Sequence, residues 1–224
     1  MLIRNLHSFN VTTAQAIRIQ RELADQICLS PSLSDYKYVA GADIAYSKKD
    51  KTLFAAVVVL EYPSASEVFS HTERGEAAFP YVPGLLTFRE APLVLRIFED
   101  LPLTPDIVIF DGQGLAHPRG FGLACHIGLL LDVPSIGCAK SRLVGEHKEP
   151  AARRGSTVPL FYHDRVVGAV VRTRDKVKPV FVSPGHKVDI ESAVRIVLET
   201  CRGYRLPEPT RVAHLLSQKA KREG

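Results

Sequence analysis

Three strand-like segments follow one another between residues 38 and 73, and this run constrains the fold of the chain more than any other feature. Residues 38–46 and 52–62 are mostly apolar, as expected of buried strands, and residues 67–73 alternate between polar and apolar side chains. Polar residues at 48–51 are predicted to turn the chain between the first two strands. Because such short connections join antiparallel neighbours, the sequence predicts an antiparallel meander.

Helices and strands alternate in the rest of the pattern. The predicted elements outside the meander are a first helix from 12 or 13 to about 27, a helix from within 85–88 to about 101, a strand at 106–110, a helix at 120–131, a strand at 135–139, a hairpin at 158–172, a strand at 180–182, and helices at about 189–202 and 210–221. Strands joined through a helix pair in parallel by a right-handed crossover, so parallel pairing is expected from the fourth strand onward.

This order of elements is that of a ribonuclease-H-like fold. In this α/β architecture, a mixed sheet of three antiparallel strands followed by parallel strands is flanked by helices. The first and fourth strands then lie side by side and parallel, which would bring Asp43 next to Asp111. The 224 residues contain no repeat, low-complexity segment or linker, so residues 1–224 are expected to form a single domain.

Composition excludes two classes of protein. Hydrophobic residues make up 46% of the chain, enough for a packed core and too many for a disordered protein. The apolar runs are too short to cross a bilayer, and residues 1–10 lack the apolar segment of a signal peptide. The four cysteines are scattered without a C-x-x-C pair, a pattern typical of buried, reduced thiols. We therefore expect a cytoplasmic protein that does not contact a membrane.

The charge of the chain is uneven as well as positive. The net charge is +5, which hints at a polyanionic partner. A cluster of basic residues could be an ordinary solvated surface or a surface that follows the phosphates of a nucleic acid. The residues concerned are Lys140, Arg142, Lys148, Arg153, Arg154, Arg165, Arg172, Arg174, Lys176, Lys178, Lys219, Lys221 and Arg222.

Three acidic residues lie at positions where a buried carboxylate would be energetically unfavourable. Asp43 interrupts an apolar strand, Asp111 follows the strand at 106–110, and Glu90 falls on the apolar side of its predicted helix. Burying an unpaired carboxylate costs roughly several kcal/mol. Acids at the ends of strands are also where α/β proteins place ligand and metal chemistry. Together the three predict a site for a hard cation such as Mg²⁺, which prefers oxygen ligands.

Each of these acids also has a purely structural interpretation. Asp43 could pair with a lysine or arginine, and Asp111 could close an Asx-turn or cap a helix. Glu90 has capping-box spacing with Thr87. The histidines and cysteines show no zinc-binding spacing.

Three basic or titratable residues could assist such a site. His117 follows the Asp111 loop and His214 lies on the last helix, and either could carry a proton or bind a phosphate. Lys140 ends the fifth strand and could steady a phosphate or an attacking water. Each could equally be an ordinary surface residue.

Residues 80–84, Pro-Tyr-Val-Pro-Gly, form a stiff loop that presents an aromatic ring. The loop could be a plain turn with Tyr81 packed against the protein. It could also be a wedge that enters a duplex and stacks where a base has left.

At these residues the chain strongly resembles the endonuclease V family, the deoxyinosine 3′-endonucleases. The resemblance spans most of the chain in the order of the family. It is carried by 41–46 (Gly-Ala-Asp-Ile-Ala-Tyr), 80–90 (Pro-Tyr-Val-Pro-Gly-Leu-Leu-Thr-Phe-Arg-Glu), 111–119 (Asp-Gly-Gln-Gly-Leu-Ala-His-Pro-Arg), 137–143 (Gly-Cys-Ala-Lys-Ser-Arg-Leu), 183–186 (Ser-Pro-Gly-His) and 211–214 (Arg-Val-Ala-His).

The resemblance implies a DNA repair endonuclease that requires Mg²⁺, with Mn²⁺ able to substitute. It implies cleavage of the second phosphodiester bond 3′ to a deaminated adenine (hypoxanthine), leaving 3′-hydroxyl and 5′-phosphate ends. The partner would be DNA containing deoxyinosine, in duplex or single-stranded form, or RNA, bound by a monomer. The implied roles are metal binding by Asp43, Asp111 and Glu90, catalytic assistance by Lys140 and His214, DNA contact by Pro80, Tyr81, Val82, Pro83 and His117, and a base pocket of Leu86, Gly114, Gly122 and Leu143.

Other functions stay open from the sequence. An inosine-specific endoribonuclease or another ribonuclease-H-like nuclease would use the same acids, although hybrid cleavage needs no wedge. A nucleic-acid-binding module without activity would not need all three acids. A metalloenzyme acting on a small acidic substrate is compatible with the basic surface.

Overall fold

The computed structural model describes residues 1–30, 35–47 and 49–224, so Lys48 in the predicted turn lies outside the described residues. Its strands form one eight-stranded sheet in the order β3-β2-β1-β4-β5-β8-β7-β6. The strands are β1 (Tyr38–Tyr46), β2 (Thr52–Glu61), β3 (Ser66–Glu76), β4 (Ile107–Phe110), β5 (Ser135–Ala139), β6 (Thr157–Tyr162), β7 (Arg165–Val171) and β8 (Val180–Pro184). This mixed sheet flanked by helices confirms the predicted fold class.

The central strand β1 determines where the predicted site lies. It pairs antiparallel with β2 along its whole length and parallel with β4, with Ala42 opposite Phe110. The residue after Ala42 and the residue after Phe110 are both aspartates, so Asp43 and Asp111 lie side by side. The adjacency predicted from the order of elements is confirmed.

The far half of the sheet differs from the sequence prediction. The pairing of β4 with β5 is parallel and that of β6 with β7 is antiparallel, both as expected, but β8 pairs antiparallel with both β5 and β7. Strand β8 continues through Ser183 and Pro184, which the sequence treats as a stop, because these residues pair with Gly137 and Ile136. The β6–β7 hairpin turns at His163 and Asp164, as predicted.

Within the described ranges, five helices cover the sheet. They are α1 (Thr13–Ala24), α2 (Leu86–Glu99), α3 (Leu123–Leu131), α4 (Ile190–Thr200) and α5 (Glu208–Glu223). Thr12 and Gln15 form a reciprocal capping box at the start of α1. Helix α2 begins after Leu85 without a side-chain cap, and Thr87 is buried inside the helix. The capping-box interpretation of Glu90 is therefore wrong.

Helix α5 lies directly on β1 because Gly41 leaves room for it. A Cβ atom on Gly41 would come within 2.2 Å of the carbonyl carbon of Pro209, in the first turn of the helix. This close approach brings the next turns of α5, with His214 and Ser217, over Asp43. One small residue on the strand thus sets the position of the helix relative to the site.

None of the helices within the described residues combines the length and the apolar character of a bilayer-spanning helix. All four cysteines are free thiols; three are buried as expected, and Cys28 is exposed.

Candidate metal centre and adjoining cavity

The side chains of Asp43, Asp111 and His214 converge on one point. Each offers one ligand atom, and these atoms all lie within 4.8 Å of one another. Asp43 lies in β1, Asp111 follows β4, and His214 comes from α5. Three elements that are distant in sequence therefore meet at the carboxyl end of the central strand β4, the kind of position where ligand sites of α/β proteins form.

The carboxylate of Asp43 is held by two side chains of α5. His214 Nδ1 lies 3.2 Å from Asp43 Oδ2, and the hydroxyl of Ser217 donates a hydrogen bond to the same oxygen. Asp43 is 7% exposed. In the part of the chain described, its partners are a histidine and a serine, so the alternative of a lysine or arginine partner is wrong.

Lys140 is the basic partner of Asp111. Its ammonium group donates to Asp111 Oδ2 from the end of β5. The guanidinium of Arg205 donates to the Lys140 carbonyl at 2.6 Å and to the Pro179 carbonyl at 2.8 Å, which holds that strand end in place. The helix-cap interpretation of Asp111 is wrong, since α3 begins after Gly122 and has no side-chain cap.

Glu90 lies beside this cluster rather than in it. Burial, and then the charges of Asp43 and Asp111, raise the pKa of Glu90 to about 8. Three carboxylates this close repel one another, and a divalent cation is the partner that would let all of them ionise. Their carboxylate oxygens therefore fit a hard cation such as Mg²⁺ or Mn²⁺.

A cavity of about 360 Å³ opens next to the carboxylates. Asp111 and Lys140 form one part of its wall, and the loop at 80–84 forms another. Tyr81 is 70% exposed at the tip of this loop. The wall also includes Val82, Pro83, Leu86, Gly122 and Leu143.

Gly114, the fourth residue predicted for the base pocket, lies behind the cavity wall. Its N–H donates to Ser183 Oγ at 2.8 Å, and its carbonyl accepts from the N–H of Gly122 at 3.0 Å. A Cβ atom there would come within 1.9 Å of the Pro184 carbonyl oxygen, so no side chain fits. Gly114 thus supports Gly122, which does line the cavity.

His117 is buried beneath the loop. Its Nε2 lies 3.0 Å from the Gly84 carbonyl oxygen, and its Nδ1 accepts from the N–H of Arg119 at 3.2 Å. Burial, reinforced by the charge of Arg119, lowers the pKa of His117 to about 4. The imidazole is therefore neutral with its proton on Nε2, and a contact between His117 and DNA stays a prediction.

Arg172 does not belong to the basic surface predicted from the sequence. It is 7% exposed, and its guanidinium donates to the carbonyls of Ala151, Pro150 and Val177 and to Glu149. Its charge is used to hold these loops together.

Ser217 is the functional residue that sequence reasoning missed. It follows His214 by three residues, the spacing at which two side chains share one face of a helix. A small polar residue at that spacing was the available signal, but the register of α5 against β1 depends on tertiary packing.

Comparisons with known proteins agree with this geometry. A sequence model of the endonuclease V family matches residues 21–215. The chain is 50% identical over 213 residues to an endonuclease V from Dehalococcoides mccartyi, covering 95% of this chain and 96% of the relative. The crystal structure of an endonuclease V from Streptomyces avermitilis matches with a TM-score of 0.91 at 41% identity, covering 100% of this chain and 99% of that chain.

A further solved structure is an endonuclease V from Ciona intestinalis in complex with a 24mer DNA containing an inosine followed by a ribo-adenosine. It matches with a TM-score of 0.81 at 30% identity, covering 94% of this chain and 98% of that chain.

Proposed function

The chain belongs to the endonuclease V family and is accordingly an endodeoxyribonuclease, and from that premise we propose that it recognises deaminated adenine in DNA and cleaves the second phosphodiester bond 3′ to it. The observation that supports this proposal is the position of the carboxylates. One carboxylate oxygen of Asp43 lies within 4.8 Å of one carboxylate oxygen of Asp111. Asp111 also lines the cavity beside the exposed Tyr81.

The proposed cofactor is Mg²⁺, held by Asp43 and Asp111 with Glu90 completing the site. Bound there, the ion would supply Lewis-acid stabilisation of phosphate oxygens and an activated water. Lys140 donates to Asp111 and therefore lies at the same site. Its positive charge would stabilise the same phosphate. His214 is held through Nδ1, which leaves Nε2 of this half-buried ring to carry a proton.

The cavity is the proposed pocket for the flipped hypoxanthine. Hypoxanthine presents O6 and an N1–H where adenine presents an amino group and a bare N1. Backbone N–H and C=O groups of the cavity wall could read that reversal, and adenine would leave them unpaired. Tyr81 would fill the space that the base leaves in the stack.

A second candidate is an inosine-specific endoribonuclease. The observation that favours it is the ribo-adenosine after the inosine in the Ciona complex, which is a property of that relative's ligand. The same site would serve either substrate, and the difference lies in whether a 2′-hydroxyl next to the lesion raises or lowers the rate.

The test is cleavage of end-labelled duplexes in Mg²⁺ and in EDTA. The set contains a duplex with one deoxyinosine, the matched duplex with adenine, and a duplex with a ribonucleotide 3′ to the inosine. We expect a single product cut at the second bond 3′ to inosine, in Mg²⁺ only. Equal cutting of the adenine duplex would overturn the base specificity, and a strict requirement for the ribonucleotide would favour the endoribonuclease.

Asp111→Asn tests the metal assignment in the same assay. We expect the rate to fall about 100-fold or more, because metal stabilisation of the transition state is worth several kcal/mol. Asp100→Asn is the matched control, since Asp100 is an exposed residue at the end of α2. A wild-type rate for Asp111→Asn would remove Asp111 from the site.

A further inference from the structure

The carbonyl oxygen of Gly84 accepts hydrogen bonds from three side chains at once. Gln20 Nε2 lies at 3.0 Å, His117 Nε2 at 3.0 Å and Arg119 Nη2 at 2.6 Å. A carbonyl has two lone pairs, so three donors saturate it. The arginine bond is charge-assisted and hence the strongest of the three.

The three donors are also bonded to one another. Arg119 Nε donates to Gln20 Oε1 at 2.6 Å, and the Arg119 N–H donates to His117 Nδ1 at 3.2 Å. Gln20 Nε2 also reaches the Phe121 carbonyl at 3.2 Å, and its residue is 1% exposed. The result is a closed polar network that joins α1, the chain after β4 and the loop at 80–84. We call Gln20, His117 and Arg119 the Gly84 clamp.

Gly84 is the hinge position of the loop. Its φ is +77°, a conformation that other residues rarely adopt. A Cβ atom there would come within 2.7 Å of Arg119 Nη2 and 3.3 Å of His117 Nε2. Pro80 and Pro83 restrict the backbone before it. The orientation of the loop is therefore set at Gly84, where the clamp acts.

We propose that the Gly84 clamp consists of positioning residues that hold the loop at 80–84 over the cavity, so that discrimination of the lesion depends in part on Gln20 and Arg119, which do not line the cavity. The inference rests on the proposed function, because it gives the loop the role of a wedge. Tyr81 at the tip is exposed, so its position depends on how the base of the loop is held. Holding the loop in its inserted geometry lowers the entropy lost on binding.

The loop can be observed without DNA. The chain contains no tryptophan, so Tyr81→Trp introduces a single fluorescent reporter at the tip. We expect Gln20→Met in this background to increase the fast component of the anisotropy decay. Thr200→Val is the control, since Thr200 is a buried residue on α4 whose hydroxyl donates to carbonyls of its own helix. Identical decays for Gln20→Met and its parent would overturn the clamp.

Arg119→Met should free the loop as Gln20→Met does, and Arg119→Lys should restore part of the rigidity by keeping one charged donor to Gly84. Urea unfolding identifies any variant that fails to fold. A stably folded Arg119→Met with an unchanged decay would also contradict the clamp.

The second measurement uses DNA with the native Tyr81. In Ca²⁺, which binds oxygen ligands without supporting the Mg²⁺ geometry, we expect Gln20→Met to lower the ratio of affinities for inosine and adenine duplexes about tenfold. In Mg²⁺ the protein concentration at half-maximal single-turnover rate should rise by the same factor, while the maximal rate changes less than about twofold.

The two hypotheses fail in different ways. If the wild-type protein does not prefer inosine, the proposed function fails, and the anisotropy decay still decides whether the clamp holds the loop. If the wild type prefers inosine and Gln20→Met prefers it equally, only the clamp is wrong.

Discussion

At the scale of single residues, the orientation of the Asp43 carboxylate depends on a serine. Ser217 is fully buried, and its hydroxyl shares Asp43 Oδ2 with His214. With one oxygen engaged in this way, the carboxylate is held in one orientation beside Asp111. Partners that orient a metal ligand are often nearly as important for affinity as the ligand itself.

Ser217→Ala should therefore weaken Mn²⁺ binding by about 10- to 100-fold, measured by titration calorimetry without DNA. Ser217→Thr keeps the hydroxyl and should recover part of the affinity. Thr210→Val is the matched control, because Thr210 is a fully buried residue of the same helix whose hydroxyl donates to the Pro207 carbonyl. Wild-type affinity in a folded Ser217→Ala would show that the serine does not orient Asp43.

The buried His117 makes a pH-dependent contribution to stability. Its pKa is about 4 in the folded chain and about 6.5 in the unfolded chain. Between these values the unfolded chain binds more protons, so the free energy of unfolding falls as the pH drops. This contribution is fully present above pH 6.5 and decreases by about 2 kcal/mol by pH 5. His126, whose pKa burial also lowers, acts in the same direction.

Urea unfolding of the wild type and of His117→Gln in EDTA, at pH 7.5 and pH 5, measures the share of His117. Glutamine keeps a donor to Gly84 but does not titrate. We expect the loss of stability between the two pH values to be about 2 kcal/mol smaller in the variant. Equal losses in both proteins would mean that His117 is not held neutral.

Sequence reasoning located the two aspartates but not their supports. Asp43 and Asp111 could be placed side by side because the order of elements makes β1 and β4 parallel neighbours. The contacts of Ser217 could not be predicted, because they depend on how closely α5 approaches β1 at Gly41. The burial of His117 likewise follows from the packing of the loop at 80–84 and not from its own neighbours in sequence.

At the scale of elements, the boundaries of β1 and β5 were predicted from apolar runs alone, and those of β8 were not. Ser183 and Pro184 resemble a terminator, yet they pair with β5 because the chain there runs antiparallel to it. The local propensity of the residues indicates where a strand is expected to end. The neighbour with which a segment forms backbone hydrogen bonds depends on the whole sheet. The antiparallel pairing of β8 with β5 and β7 was unforeseen for the same reason.

The β6–β7 hairpin carries a local strain that can be removed. His163 and Asp164 have φ values of 47° and 57°, the paired positive angles of a type I′ turn. Asn-Gly suits such a turn best, so His163→Asn with Asp164→Gly should raise the free energy of unfolding by about 1 kcal/mol, measured in urea. His71→Asn, in the extended strand β3, should give no gain. An equal gain from His71→Asn would mean that turn geometry is not the cause.

At the scale of the whole molecule, the positive charge includes two residues at the proposed site. Lys140 and Arg142 line the cavity, and further exposed basic residues follow in the segment up to Lys178. Arg172 and Arg154 are exceptions, since their guanidinium groups donate to carbonyls of the protein itself. The net charge of +5 indicates a polyanionic partner. The structure separates the basic residues that are exposed from those that are buried.

Phosphate contacts make DNA affinity depend on salt, and this dependence can be assigned to residues. Each neutralised phosphate contributes about −0.9 to the slope of log K against log salt concentration. Arg142→Gln should make the slope less steep by about this amount and weaken inosine and adenine duplexes equally, because a phosphate contact carries no base information. Arg18→Gln is the control, since Arg18 is an exposed α1 residue paired with Glu22. A wild-type slope for Arg142→Gln would show that Arg142 does not contact a phosphate, and a loss confined to the inosine duplex would show that it contacts the base pocket instead.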